Sequence, residues 1–221
     1  MTPYQTNTDQ SFVGDTWLPL RPLPAEATLA STSTGPVLIR RAVPDDAVRL
    51  TEMHRRLSPL SRYQRYMAPY VPDQAEMEAL GRLTSDSGEA FVAESVGPAK
   101  HIVGLIYYIR SKPPESDRAE FGVTVADDFQ GKGLGRAMLE HMCDRALANG
   151  VRWMEANVLP QNKKMLHLLD TCGRPLGKHR SMDCVTAIID LGEALDEASL
   201  ICFLSEAAEA AERATAAALC G

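Results

Sequence analysis

The sequence predicts a mixed α/β fold in which helices cover a sheet that includes antiparallel hairpins. Three observations carry this. Residues 90–94 (Ala-Phe-Val-Ala-Glu) and 102–109 are two β-rich runs joined across a Gly-Pro turn, the pattern of a hairpin. Arg118 to Val125 alternates, with Phe121, Val123 and Val125 on one face and Glu120, Gly122 and Thr124 on the other. Leu134, Met138, Met142 and Ala146 recur every four residues, which makes one apolar helical face.

Taken in order, residues 1–36 mix Thr, Ser, Pro and Ala without periodicity and read as a flexible arm, so the domain is expected to start at Val37. Val37 to Arg40 reads as a strand. Pro44-Asp45-Asp46 opens a helix running to Arg56 with Asp45 as N-cap, and a second helix is expected over 73–83. After the hairpin and the alternating strand comes glycine-rich sequence, then the 134–149 helix closed by Asn149-Gly150. A strand over 153–159, a helix over 162–172 and a strand over 182–189 complete a 37–191 domain. Residues 192–221 are Ala-rich and acidic, and 194–219 favour a C-terminal helix, either docked by its first half or serving as a partner or homodimer helix.

With 221 residues, 45% of them hydrophobic, the chain can bury one sizeable core. Its longest apolar run, about eight residues near Ile102 to Ile109, is far short of a membrane span. The first 20 residues lack a basic start and an apolar run, which argues against a secretory signal. Five cysteines (Cys143, Cys172, Cys184, Cys202 and Cys220) at wide spacings suit a reducing cytoplasm and offer neither a disulfide framework nor a structural metal site. The 29 acidic and 23 basic residues give a net charge of −6, but the acidity lies in the two flanks, and 37–191 holds 21 basic and 20 acidic residues. No basic stripe marks a nucleic-acid footprint.

The densest chemical signal is Gln130-Gly131-Lys132-Gly133-Leu134-Gly135, between a strand and a helix. Its glycines let the backbone approach an anion, and the new helix offers unpaired N–H groups and a positive dipole end to phosphate. A Rossmann pattern would need a further Gly where Arg136 or Met138 stands, and no P-loop is present.

These residues resemble the GNAT superfamily of N-acetyltransferases, whose acetyl-CoA motif of Gln or Arg, two residues, Gly, one residue, then Gly or Ala matches Gln130, Gly133 and Gly135 after Val123-Thr124-Val125. The stretch from Val158 to Met165 resembles the family's second cofactor segment, where an Asn, here Asn162, contacts the pantetheine arm. Within the superfamily, Leu57-Ser58-Pro59-Leu60-Ser61-Arg62-Tyr63-Gln64-Arg65-Tyr66 and Ala119-Glu120-Phe121 look most like the GNAT domain of bacterial protein lysine acetyltransferases. The resemblance covers about 37–191. It implies a central mixed, mostly antiparallel twisted sheet flanked by helices, and acetyl-CoA as acyl donor without a metal. It also implies an amine acceptor, expected to be a protein lysine, with acetylation of a small amine or a non-catalytic acyl-CoA-binding module as alternatives.

The cofactor set so implied is Val123, Val125, Gln130, Gly131, Lys132, Gly133, Leu134, Gly135, Arg136 and Asn162. At neutral pH only about one lysine in 2,500 is the free amine, a penalty of roughly 4.6 kcal/mol, so a base is needed. Glu120 is the candidate catalytic residue, the alternative being a strand Glu paired with Arg118 or Arg110. Tyr63 and Tyr66 are candidates to shape the acceptor groove, or else aromatics packed in the core. Many family members carry a general-acid Tyr seven residues after the motif Asn, but Leu169 stands there. Arg174 replaces a common aromatic after Gly173. His141 and His167 read as polar-face residues, and Cys172 and Cys184 as small hydrophobes.

Overall fold

In a computed structural model, residues 27–97, 99–112, 117–174 and 176–192 are described. They form one eight-stranded sheet in the order β1-β2-β3-β4-β5-β6-β8-β7. The strands are β1 (Thr28–Thr32), β2 (Gly35–Arg41), β3 (Gly88–Ser95), β4 (Ile102–Arg110), β5 (Arg118–Val125), β6 (Trp153–Val158), β7 (Leu176–Arg180) and β8 (Val185–Asp190). Every neighbouring pair is antiparallel except β5–β6.

Helices cover both faces. On one lie α1 (Ala47–Arg56) and α3 (Gln74–Gly81), which bury Leu50, Met53 and Met77 against Val92, Ile102 and Leu105. On the other lie α4 (Leu134–Ala148) and α5 (Lys163–Asp170). The predicted repeat on α4 forms the centre of this second core, with Leu134, Met138, Met142 and Ala146 all fully buried alongside Phe91, Ile106 and Tyr108. Gly104 on β4 brings α4 close, since a Cβ there would stand 2.7 Å from the Met138 sulfur.

The structure corrects several expectations. The sheet begins upstream of Val37, because Thr28–Thr32 pairs with β2, so this part of the proposed arm is strand; only Ala30 in it is buried, which leaves no apolar pattern to read. Residues 44–46 form a 3-10 turn before α1, and the capping carboxylate is that of Asp46 rather than Asp45, accepting from the Val43 N–H. A helix that sequence reading left as a connecting segment, α2 (Pro59–Tyr66), stands between α1 and α3. The strand expected at 182–189 is β8, which starts only at Val185 after a turn through 181–184 with Met182 almost fully exposed, and it pairs with β7, a strand not anticipated. The expected helix at 194–219 lies outside the described residues.

Buried charge is paired. Arg40 grips Asp46 with both terminal nitrogens at 2.7 and 2.8 Å and also bonds Glu94 at 2.8 Å. Arg49 joins the same two carboxylates. Burial opposes ionisation of Asp46, but the hydrogen bonds from Arg40, Val43 and Arg49 outweigh it and hold the carboxyl below its usual range. At the far end of β3, buried Glu89 accepts from Arg41, Arg145 and Asn149.

Candidate active site

The only parallel pair of the sheet is also its shortest ladder. β5 and β6 are in register at Arg118↔Trp153, Ala119↔Met154 and Glu120↔Glu155 and nowhere beyond, so the two strands diverge from Phe121 and Ala156 onward. A cleft of about 430 Å³ opens in that gap, lined by Phe121 to Val125 on one side and Ala156 to Val158 on the other. The loop before α4, residues of α5, and Ser61, Gln64 and Arg65 of α2 complete the lining, with Ser61 bonded to Gln130 of that loop. Where the ladder is missing, backbone N–H and C=O groups of both strands are left for a ligand to satisfy.

The glycine loop bends as its sequence requires. Gly131 and Gly133 have φ of +70° and +87°, and no protein atom lies within 4 Å of the place a Cβ would take at either. Open space therefore faces both residues. Gly133 caps α4 and supplies no side-chain acceptor, whereas α2, α3 and α5 are capped by Ser58, Asp73 and Asn162. The first-turn N–H groups of a 15-residue helix are thus directed at the cleft without a capping partner, an arrangement suited to phosphate oxygens.

Of the predicted cofactor set, Val123, Val125, Gln130, Gly131, Gly133, Gly135, Arg136 and Asn162 line the cleft. Lys132 does not, and the side chain of Leu134 is core, leaving that residue only a backbone N–H to offer. Three side chains in the set are already engaged. Gln130 donates to the Val125 carbonyl at 3.0 Å and to Ser61 at 3.1 Å and accepts from Lys164 at 2.9 Å, which makes it a strut between loop, strand and α2. Asn162 accepts from the Met165 N–H at 3.2 Å, so only its NH₂ group remains for a ligand. Arg136 reaches across to the Thr171 carbonyl at 2.6 Å, tying α4 to the end of α5.

Glu120 lies at the last β5–β6 rung, exposed, on the same face as Gly122 and Thr124 of the cleft wall but outside the lining itself. It makes no hydrogen bond or ion pair among the described residues, so the alternative of a Glu tied to Arg110 or Arg118 does not hold there. Tyr63 and Tyr66 do not line the cleft. Tyr63 is 44% exposed on the outer side of α2, and Tyr66 turns toward His54 and Tyr70. Leu169, at the position of the usual tyrosine, is buried in the core, while His167 and Leu168 face the cleft near Arg136 and Thr171.

Sequence reading missed the α2 wall. Ser58 begins it, accepting from the Ser61 N–H, and Pro59 occupies the first helical position, a start signal that was present in the chain. No residue of α2 is fully buried, so polar links hold it. Asp127, in the short turn after β5, accepts from the Ser58 N–H at 2.7 Å and from the hydroxyls of Ser58 and Ser61. Partial burial opposes the Asp127 charge, but the donors of Ser61 and Ser58 and the nearby Lys164 prevail and hold its carboxyl below the usual range. Among the described residues, no three His, Cys, Asp or Glu side chains gather as a metal site, and no helix is long and apolar enough to cross a membrane.

Residues 50–173 match the profile of the Acetyltransferase (GNAT) family. An acetyltransferase of Pseudomonas aeruginosa is 31% identical over 140 residues, 62% of this chain and 74% of that protein. The acetyltransferase Pat of Mycolicibacterium smegmatis is 26% identical over 136 residues, 61% of this chain but 40% of Pat, so the chain spans well under half of that relative. The solved GNAT domain of S. lividans PAT superposes with a TM-score of 0.67 at 25% identity, covering 76% of this chain and 99% of that domain. Spermidine N-acetyltransferase from Vibrio cholerae, solved with CoA and spermine, shares the fold with a TM-score of 0.55 at 21% identity, over 70% of this chain and 95% of that one.

Proposed function

The chain belongs to the GNAT acetyltransferase family and is an acyltransferase that uses acetyl-CoA; from that premise we propose that its acceptor is a lysine side chain of a protein, which attacks the thioester directly in a ternary complex. The observation that carries the choice of acceptor is the form of the acceptor end. It is bordered by α2, a helix without buried residues whose outer side leaves Leu60 63% and Tyr63 44% exposed beside the cleft. Such a border fits the surface of another protein better than it encloses a small amine. The likeness to the GNAT domain of PAT supports the same reading. A polyamine or other small amine is the second reading, favoured by the shared fold of the spermidine enzyme.

On this reading the diphosphate of acetyl-CoA lies on the N–H groups of residues 131–136, and its extended arm runs along the free edge of β5 at Val123 and Val125. Unladdered backbone donors there suit the amides of the arm and the thioester oxygen as it gains charge. Glu120, free of other partners among the described residues, takes a proton from the acceptor's ammonium group, and the neutral amine so formed attacks the thioester carbon. The carbon–nitrogen bond forms as the carbon–sulfur bond breaks, and the thiolate leaves without a tyrosine acid, Leu169 being buried. A thiol of ordinary pKa near 8.5 leaves acceptably on its own.

The test is release of free CoA thiol from acetyl-CoA with proteins, peptides and small amines, run beside Glu120→Gln. The variant should lose about 10²- to 10⁴-fold in kcat while keeping its affinity for acetyl-CoA. Unchanged turnover would remove Glu120 from the mechanism. Release with small amines alone would transfer the function to the second reading.

A further inference from the structure

The acceptor end of the cleft carries positive charge that the fold itself does not neutralise. Arg65 of α2 lies against β5 at Gly122, where a Cβ would fall 2.1 Å from its terminal nitrogen. The guanidinium sits 5.0 Å from the ring centre of Tyr66 and 5.4 Å from that of Tyr107, and it donates to the Tyr107 hydroxyl. Its Nε is buried and has no hydrogen-bond partner, and no carboxylate pairs with it among the described residues. One turn earlier on the same helix, Arg62 donates only to the Arg55 carbonyl, at 3.4 Å, and it too lacks an ion pair. Arg55 and Arg56, exposed in the last turn of α1, add two more charges, although these also complement that helix's dipole. Several other arginines of the domain are paired instead. Arg40, Arg49, Arg145 and Arg174 each hold a carboxylate.

A guanidinium that is partly withdrawn from water and left without a counter-ion is costly unless a ligand supplies one. On the reading above the phosphates of acetyl-CoA lie on the glycine loop, whereas the Arg65 guanidinium lies against Gly122 of β5. We propose that the acceptor lysine is presented in an acidic segment of protein, with a carboxylate beside the lysine received by Arg65 and further acidic residues drawn by Arg62 and the end of α1. This rests on the lysine reading above and narrows it. The arrangement is complementary: Glu120 meets the ammonium group of the acceptor, and Arg65, two strand positions along beside Gly122, meets the flanking anion. A planar guanidinium without a carboxylate partner among the described residues suits an incoming carboxylate. The surrounding arginines attract acidic partners and disfavour basic ones.

The experiment compares three peptides carrying a central lysine flanked by Asp, Ala or Arg, with the full chain and acetyl-CoA, following thiol release. The Asp-flanked peptide should exceed the Ala-flanked one by about tenfold or more in kcat/KM, mainly through KM, and the advantage should shrink as salt rises. Arg62→Glu should shift the preference toward the Arg-flanked peptide. Gly122→Ala, which places a methyl group where the Arg65 guanidinium lies, should erase the preference while the thermal midpoint stays that of a folded protein. Equal KM for the three peptides, or a preference that neither variant moves, overturns the proposal and leaves the lysine reading standing. Silence of all three peptides while a polyamine or a free amino acid is acetylated overturns the lysine reading itself.

Discussion

Replacing Asp127 by Asn should undock α2 without unfolding the domain. The carboxylate accepts from the Ser58 N–H at 2.7 Å, the Ser58 hydroxyl at 3.1 Å and the Ser61 hydroxyl. α2 offers no fully buried residue to hold it otherwise. Hydrogen bonds to a charged acceptor contribute about 1.5–3 kcal/mol each when sheltered. Asp127 is exposed, so solvent screening reduces that, and about 1–2 kcal/mol for the whole cluster is the reasonable magnitude. That weakens docking of α2 roughly 5- to 30-fold and touches neither core. Amide hydrogen exchange should therefore show faster exchange in 58–67 with little change in α4 or β3, and the KM for the acceptor should rise more than that for acetyl-CoA. The sign with pH follows from the lowered carboxyl: the docking contribution is complete above the ordinary unfolded value near 3.9 and is lost as pH falls through the lower folded value. Docking should be flat from neutral pH to about 4 and weaken only below it. A variant whose 58–67 exchange matches the parent, or whose whole domain loses protection uniformly, would refute the assignment of Asp127 as the α2 anchor.

Three further outcomes are expected. Asp46→Ala leaves the Arg40 and Arg49 guanidinium groups facing a vacated buried site and should cost about 3–5 kcal/mol in denaturant unfolding. Gly104→Ala drives a methyl group to 2.7 Å from the Met138 sulfur and should cost about 1–3 kcal/mol, a loss partly recovered when Met138 is shortened in the double variant. Gly133→Ala, at φ +87°, should destabilise by about 1–2 kcal/mol in thermal melts and weaken acetyl-CoA binding measured by calorimetry, whereas a site served by side chains alone would show the first effect without the second.

Legibility from sequence followed burial. The α4 face could be read because Leu134, Met138, Met142 and Ala146 all reach the core, whereas β5 was read from its residue alternation although Gly122 and Thr124 on its polar face are buried too. β1 could not, since Ala30 is its single buried residue, and what defines it is pairing with β2, a long-range fact absent from local pattern. β7 went unread, and β8 was started too early because its turn, 181–184, holds Met182, an apolar side chain that is in fact almost fully exposed. The same rule divides the site. Glycines at 131, 133 and 135 announce a backbone that must bend and be approached closely, so the cofactor end could be anticipated. Ser61, Gln64 and Arg65 join the lining from a polar helix face with no periodic apolar signal, while Tyr63 and Tyr66 of the same helix lie outside the lining. The buried Leu169 was noticed as a departure, and its burial shows that this side chain is not directed at the reaction.

The three-rung contact between β5 and β6 gives the molecule a seam. Five strands lie on one side and three on the other, and the hydrogen-bond ladder that would weld them stops at Glu120 and Glu155. On the proposed reading, a substrate lying between the diverging edges would mend the seam by offering its own amides to both halves, so that occupancy and cohesion become one quantity. Such a ligand raises the unfolding free energy by RT ln(1 + [L]/Kd), about 2.7 kcal/mol at a hundredfold excess over Kd. Protection of the paired β6–β8 amides is then a gauge of how firmly the cofactor holds the two halves together.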